Sequence, residues 1–299
     1  MNSQNFTKDS KTQLTPQSEL SKAGKSELAR DQNYSESPAS YEDYTLGVNL
    51  CELLAKFQHY RDKILNDTRL ERELNLFVEP LTIHHDGATG ENRLLELSYE
   101  TTKQLLTSQS TKNRRILLLT GQAGAGKSFF CQHLQRQILS NWLQNPDDDE
   151  NWFPIYVELS SLKNSKSEAI SEALARELLL NEEEISLLRT TSQSNLKLPR
   201  LLFIFDGYDE IEDIHAFSSL DSKEELVKHN FFELNKIHGE SWKKAKFIIT
   251  CREENLQKVQ SKDLLFGPDS ADPESFLHRS IEPFSDEQIR YYLKKYCSF

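Results

Sequence analysis

Arg115-Ile116-Leu117-Leu118-Leu119-Thr120-Gly121-Gln122-Ala123-Gly124-Ala125-Gly126-Lys127-Ser128 is the stretch whose reading decides the fold of this chain. The apolar run Ile116 to Leu119 reads as a short buried strand. The residues after Ser128 carry apolar side chains at helical spacing, Phe130, Leu134 and Ile138. Between strand and helix stands G-x-x-x-x-G-K-[ST], the spacing of a phosphate-binding loop. Glycines let successive backbone N–H groups turn inward around an anion, and the helix start adds its partial positive charge at the same point. Lys127 is expected to reach the β- and γ-phosphates of a nucleotide, and the Ser128 hydroxyl to ligate magnesium. Gly121, Gln122, Ala123, Gly124, Ala125, Gly126, Lys127 and Ser128 are therefore the candidate nucleotide-binding residues.

Working outward, the same alternation continues. Phe153 to Leu159, Leu201 to Phe205 and Phe247 to Thr250 are further short apolar runs, separated by helical patterns such as Ile170, Leu174 and Leu178. Such alternation predicts a three-layer α/β/α fold with a parallel sheet covered on both faces. Ligands of these sheets bind beyond the carboxyl ends of the strands, and polar residues collect there. Leu201-Leu202-Phe203-Ile204-Phe205-Asp206 ends in a carboxylate, so Asp206 joins Ser128 as the expected magnesium site. Gly207 follows it, leaving no carboxylate at the usual base position of AAA-type ATPases. Asp209 and Glu210, one turn later, are the candidates to orient an attacking water; they read equally well as the acidic first turn of a helix. Lys246-Phe247-Ile248-Ile249-Thr250-Cys251-Arg252 ends in an arginine suited to sensing a γ-phosphate.

The remainder of the chain bounds the possibilities. With 36 basic and 47 acidic side chains the net charge is -11, which argues against direct nucleic-acid binding, since phosphate backbones are held by surplus Lys and Arg. Cys51, Cys131, Cys251 and Cys297 form no Cys-x-x-Cys pair, so zinc and thioredoxin-like chemistry lack support, and scattered thiols fit a cytoplasmic protein. No apolar run is long enough for a membrane span. Residues 1–43 are polar and poor in aromatic and branched residues, which predicts a disordered tail. From Leu46 through Leu50, Leu53, Leu54, Phe57, Tyr60 and Ile64 the spacing predicts an amphipathic helix. Leu76 to Leu81 reads as extended, His84-His85-Asp86 as a polar loop, and Asn92 to about Ser108 as a further helix. His133 reads as a packed or surface histidine rather than a ligand. Ser285-x-x-Gln288 is a capping box opening a helix whose apolar face is Ile289, Tyr292, Leu293 and Tyr296.

In order and character, GQAGAGKS, FPIYVELSSL, LLFIFDGYDE and AKFIITCRE resemble the NACHT domain of the STAND class of P-loop NTPases. The small residue after Asp206, followed by a distal acidic pair, carries much of that likeness. Residues 273–296 look like the segment that leads through Pro-Phe into the family's small helical subdomain. The resemblance covers about residues 76–299 and implies a NACHT-type core at 113–270 and the start of a helical lid at 271–299, preceded by the tail at 1–43 and a helical N-terminal region at 44–112 that composition and spacing predict. It also implies ATP/ADP and Mg2+ as ligands, slow or absent hydrolysis, and protein partners or self-association through the NTPase domain. Adenine is further favoured because no Asn-Lys-x-Asp guanine motif occurs. The family's winged-helix histidine has no counterpart before Phe299, so an incomplete switch is expected. Alternative readings are an active AAA-type ATPase and a truncated remnant that does not switch.

Overall fold

A computed structural model describes residues 49–85, 92–107, 114–142, 151–190, 198–211, 231–237, 240–256 and 276–298. The expected disordered tail lies outside the described residues. Tyr44–Phe299 forms one compact unit.

Its frame is a five-stranded parallel sheet of β3 (Ile116–Gly121), β4 (Trp152–Glu158), β5 (Arg200–Asp206), β6 (Lys246–Arg252) and β7 (Phe276–Ser280), in the order β4-β5-β6-β3-β7. Consecutive side chains of a strand point to opposite faces, and β5 shows the consequence. Leu201, Phe203 and Phe205 enter one buried cluster, while Leu202 and Ile204 enter another. With both faces covered, an unbroken apolar run is what the strand needs. One face is covered by α5 (Ala169–Glu177) and α6 (Glu182–Thr190) through Ala173, Leu174, Ile185 and Leu188. The other is covered by α4 (Lys127–Asn141) through Phe130, Cys131 and Leu134. These are the three layers the alternation predicts.

The edges of the sheet are closed by the residues ahead of β3. Helix α1 (Leu50–Leu65) is capped by Asn49, whose side chain accepts from Cys51 and Glu52 N–H, an arrangement that satisfies otherwise orphan donors. Its buried stripe, Leu53, Phe57 and Tyr60, joins the core beside edge strand β4. The Phe57 ring meets Phe153 edge to face at 4.8 Å between centroids. Arg61 donates to the Leu139 carbonyl and Arg136 to that of Ile64, binding α1 to α4. After α2 (Thr68–Leu74), β1 (Leu81–His85) and β2 (Asn92–Glu96) form an antiparallel hairpin, joined to the end of β7 by the bridge between Thr82 and Ile281.

Two expectations are corrected here. His84 and His85 belong to β1 and are not loop residues, while Asp86 is outside the described residues. Asn92–Glu96 is a strand, and the helix begins only at Leu97, as α3 (Leu97–Thr101) continued by a π turn to Leu106. The physical reason is a distant cap: the Glu79 carboxylate accepts from both the Ser98 N–H (2.8 Å) and the Ser98 hydroxyl (2.7 Å). Leucine spacing alone does not contain that contact. The last helix, α7 (Asp286–Cys297), has the expected capping box between Ser285 and Gln288. Its apolar residues Ile289, Tyr292, Leu293 and Tyr296 are exposed.

Because Phe57 is fully buried, Phe57→Ala should lower unfolding free energy by about 3–5 kcal/mol. Urea denaturation followed by circular dichroism will measure it. A loss typical of a surface position would mean that α1 is not part of the core.

Candidate functional site

Strand β3 ends at Gly121, and the loop turns through Gly124 (φ +78) and Gly126 (φ +89) into α4. A Cβ added at either glycine would meet nothing within 4 Å. The requirement there is therefore conformational, since the left-handed region strains any residue with a Cβ. Gly126 provides no side-chain cap for α4, so the first amides of that helix face the loop. The Lys127 ammonium folds back over the loop and donates to the carbonyls of Gly121 (2.9 Å) and Gln122 (3.0 Å).

Asp206 ends β5 and is only 7% exposed. One of its oxygens accepts from the Thr250 hydroxyl at 2.5 Å, the other from the Tyr156 phenol at 2.8 Å. Thr250 in turn accepts from the Gly207 N–H at 2.9 Å. Burial, and next the charge of Asp206, push the Tyr156 phenol well above its ordinary range, so it remains a donor. Burial, followed by the same charge, also raises the Cys131 thiol on α4, which makes it an inert packing group rather than a nucleophile. Gly207 takes φ +79, and a Cβ there would press on the Glu210 carboxyl at 3.2 Å.

The acidic pair after Asp206 divides. Asp209 accepts from the Arg252 backbone N–H (3.0 Å) and from Asn255 (3.3 Å), and its carboxylate pairs with Arg252 Nε at 3.1 Å. Its side chain is 5% exposed. Glu210 is half exposed and stands 3.9 Å from the same guanidinium. Arg252 is thus held by Asp209 at the end of β6, the strand that lies between β3 and β5.

Lys127, Ser128, Asp206, Asp209, Glu210, Thr250 and Arg252 face one polar cavity of about 500 Å³, together with loop residues. The loop residues Ala123, Gly124 and Gly126 also line a second cavity of about 860 Å³, whose walls include Phe77, Val78, Pro80, Phe129 and Ile281. One face of the phosphate loop thus meets a polar chamber and the other an apolar one. Every candidate nucleotide- and magnesium-binding residue, with Asp209, Glu210 and Arg252, falls here. Gly121 does so through its carbonyl, the rest of the loop through the cavity walls.

Sequence reading missed several neighbours. Tyr156 and Thr250 bond Asp206 across the sheet, and no local pattern marks them. Glu158 lines the polar cavity and lies in register with Asp206; as the last residue of an apolar strand, it could have been found by the strand-end rule. The apolar chamber uses Leu76 to Pro80, which reads only as extended chain. His133 is a packed histidine: its ring stacks on Phe77 at 3.7 Å, and burial, then nearby Lys295, lowers its basicity. Among the described residues no group of three or more His, Cys, Asp or Glu side chains is arranged to hold a metal ion, and no helix is long and apolar enough to cross a membrane.

The family profile of the NACHT domain matches residues 115–298, more than half of the chain. The chain belongs to the NACHT domain family. It is thereby a P-loop NTPase module that binds nucleotide. Among solved structures, this NACHT chain is similar to the Aeropyrum pernix ORC2 protein in its ADPNP–ADP complexes, with 15% identity over 68% of this chain and 50% of that one, at a TM-score of 0.40. It is also similar to C. elegans PCH-2, at 14% identity over 75% of this chain and 46% of that one, with a TM-score of 0.27. A third is a chain of the E. coli MS115-1 HORMA:CdnC:Trip13 complex, at 13% identity over 81% and 69% of the two chains, with a TM-score of 0.28. The chain spans about half the length of the first two. No curated protein matches it.

The division between the two acids is testable. Asp209→Ala strips three contacts from a buried carboxylate and should cost about 1.5–3 kcal/mol of stability. Glu210→Ala, at an exposed and longer contact, should stay within about 0.5 kcal/mol. Chemical denaturation of both variants will compare them; equal effects would mean that Asp209 does not hold Arg252.

Proposed function

We propose that this NACHT module is an adenine-nucleotide switch that binds ATP or ADP with Mg2+ and hydrolyses ATP slowly or not at all. The observation that carries this reading is the loop shared between two chambers. Lys127, Ser128 and Asp206 face the polar one, suited to phosphates and a metal, while Phe77, Val78 and Phe129 face the apolar one, suited to a base. Ligand sites of this kind are mostly apolar with a few placed polar groups. A buried carboxylate and a hydroxyl on one cavity fit magnesium, which prefers oxygen, takes few protein ligands and keeps several waters. When bound, the ion would neutralise charge on the phosphate oxygens. Asp206 and Ser128 would hold it, Lys127 would turn from the loop carbonyls to the β- and γ-phosphates, and Arg252 would sense the γ-phosphate.

Slow turnover is supported by the acids. Gly207 stands where an active AAA-type ATPase carries its base, and Asp209 is committed to Arg252. Its part is then to place the arginine, leaving Glu210 to orient water. Glu158 on the same cavity favours a second reading, an active ATPase, because it offers another carboxylate to a water beside the phosphates. In the switch reading, ATP acts only through better binding to one conformation than to another. Exchange of ADP for ATP would then control association with partners or with further copies through the NTPase domain. We further assign 113–270 as the NTPase core and 271–299 as the beginning of a helical lid, in a cytoplasmic protein.

Calorimetry with ADP and ATP in magnesium, beside Lys127→Ala, tests this. Loss of charge-assisted bonds to phosphate should weaken binding about ten- to a hundredfold, and phosphate release should show little or no turnover. Many cycles per second would support the active ATPase instead. Absence of binding by folded protein would overturn both readings.

A further inference from the structure

We propose that Tyr156 is a positioning residue for the metal-holding carboxylate of Asp206, set in place by Tyr60 of α1. The inference rests on the reading that Asp206 serves magnesium. A carboxylate turns about a broad, roughly two-fold terminal torsion, so a single hydrogen bond leaves its aim loose. Here each oxygen has its own donor, and the donors come from the strands on either side of β5. Thr250 of β6 holds one oxygen and Tyr156 of β4 the other. Carboxylate oxygens accept more than one contact each, so both keep lone pairs for the metal or its waters. Outer partners of this kind orient a ligand and set its basicity, and removing one typically costs ten- to a hundredfold in metal affinity.

The placement of Tyr156 has its own cause. Among the described strands β4 lies at the edge of the sheet and pairs with β5 alone. An edge strand presents alternate N–H groups with no strand to receive them. The Tyr156 N–H is received by the phenol oxygen of Tyr60, 3.3 Å away, which also accepts from Gln135 Nε2 at 2.7 Å. Tyr60 is 1% exposed. A single buried oxygen thus ties the edge strand to α4, the helix that follows the phosphate loop. Helix α1 precedes the family-matched region 115–298, so the aim of the metal-holding carboxylate depends on a segment outside it. The line runs from Tyr60 on α1, through the backbone and phenol of Tyr156, to Asp206.

The test is Tyr156→Phe, which keeps the ring and removes the hydroxyl. ATP affinity is measured by calorimetry in saturating Mg2+ and again in EDTA, for wild type and variant. The expected result is a loss of about ten- to a hundredfold in the magnesium series with EDTA affinity unchanged. An equal loss in both series would mark Tyr156 as merely structural, and no loss in either would mark the phenol as idle; each overturns the proposal. A wild-type chain whose ATP affinity ignores magnesium overturns the metal reading and this proposal together. A wild-type chain with magnesium-dependent affinity and an unaffected variant overturns this proposal alone. If Tyr156→Phe fails to fold, Tyr60→Phe carries the test: weakened magnesium dependence supports the line from α1, and unchanged dependence overturns it.

Discussion

A parallel strand covered on both faces has nowhere to carry polar side chains except its ends, because burying an unpaired polar or charged group costs several kcal/mol. The rest of this molecule follows from that constraint. Strands β3, β5 and β6 are apolar through their length, and their carboxyl ends deliver the glycine loop, Asp206, and Thr250 with Arg252 to one crevice. Because the strands are parallel and in register, these ends arrive side by side. Glu158 falls level with Asp206, and Gly121 level with Arg252. The site is therefore a property of the sheet before it is a property of any one side chain.

What could be read from the chain was what the chain writes locally. The glycine loop, the strand that leads into it, the carboxylate that ends β5 and the capping box at Ser285 are each contained within a few consecutive residues. What could not be read depends on partners far away in sequence. Thr250 and Tyr156 reach Asp206 across 44 and 50 positions, and their roles exist only once β4, β5 and β6 lie together. The same holds for the start of α3. Leucines from Leu94 to Leu106 fit a helix, but Glu79 caps it at Ser98 and the preceding five residues pair with β1 instead. Tertiary pairing overrode local periodicity there, as it often does for short segments. His84 and His85, read as a loop for their polarity, are held in that same ladder.

The distribution of charge in the crevice has a second logic. Buried or half-buried charged groups need partners, and the acids here are partnered unequally. Asp206 is bonded only by neutral hydroxyls, which leaves its charge uncompensated by any cation among the described contacts. Asp209, by contrast, is matched with a guanidinium. One carboxylate is thus preserved as a source of negative potential in the polar cavity, while the other is neutralised by its neighbour. Gly207 separates the two and turns the chain between them with a left-handed residue. Two acids three positions apart come to stand in different electrostatic surroundings.

The wedge that α1 drives against β4 also has a history in time. Tyr60 meets its strand partner 96 positions further along the chain. At a synthesis rate of about 5–20 residues per second, the nascent helix would wait roughly 5–20 seconds before Tyr156 is made. Through that interval its apolar stripe lacks the β4 side chains, Phe153 among them, that pack on it in the fold. Isolated helices of this length are marginal in water, so the segment depends on those later partners for its full stability. The residues that finish the edge of the sheet are made well before the strand they cover.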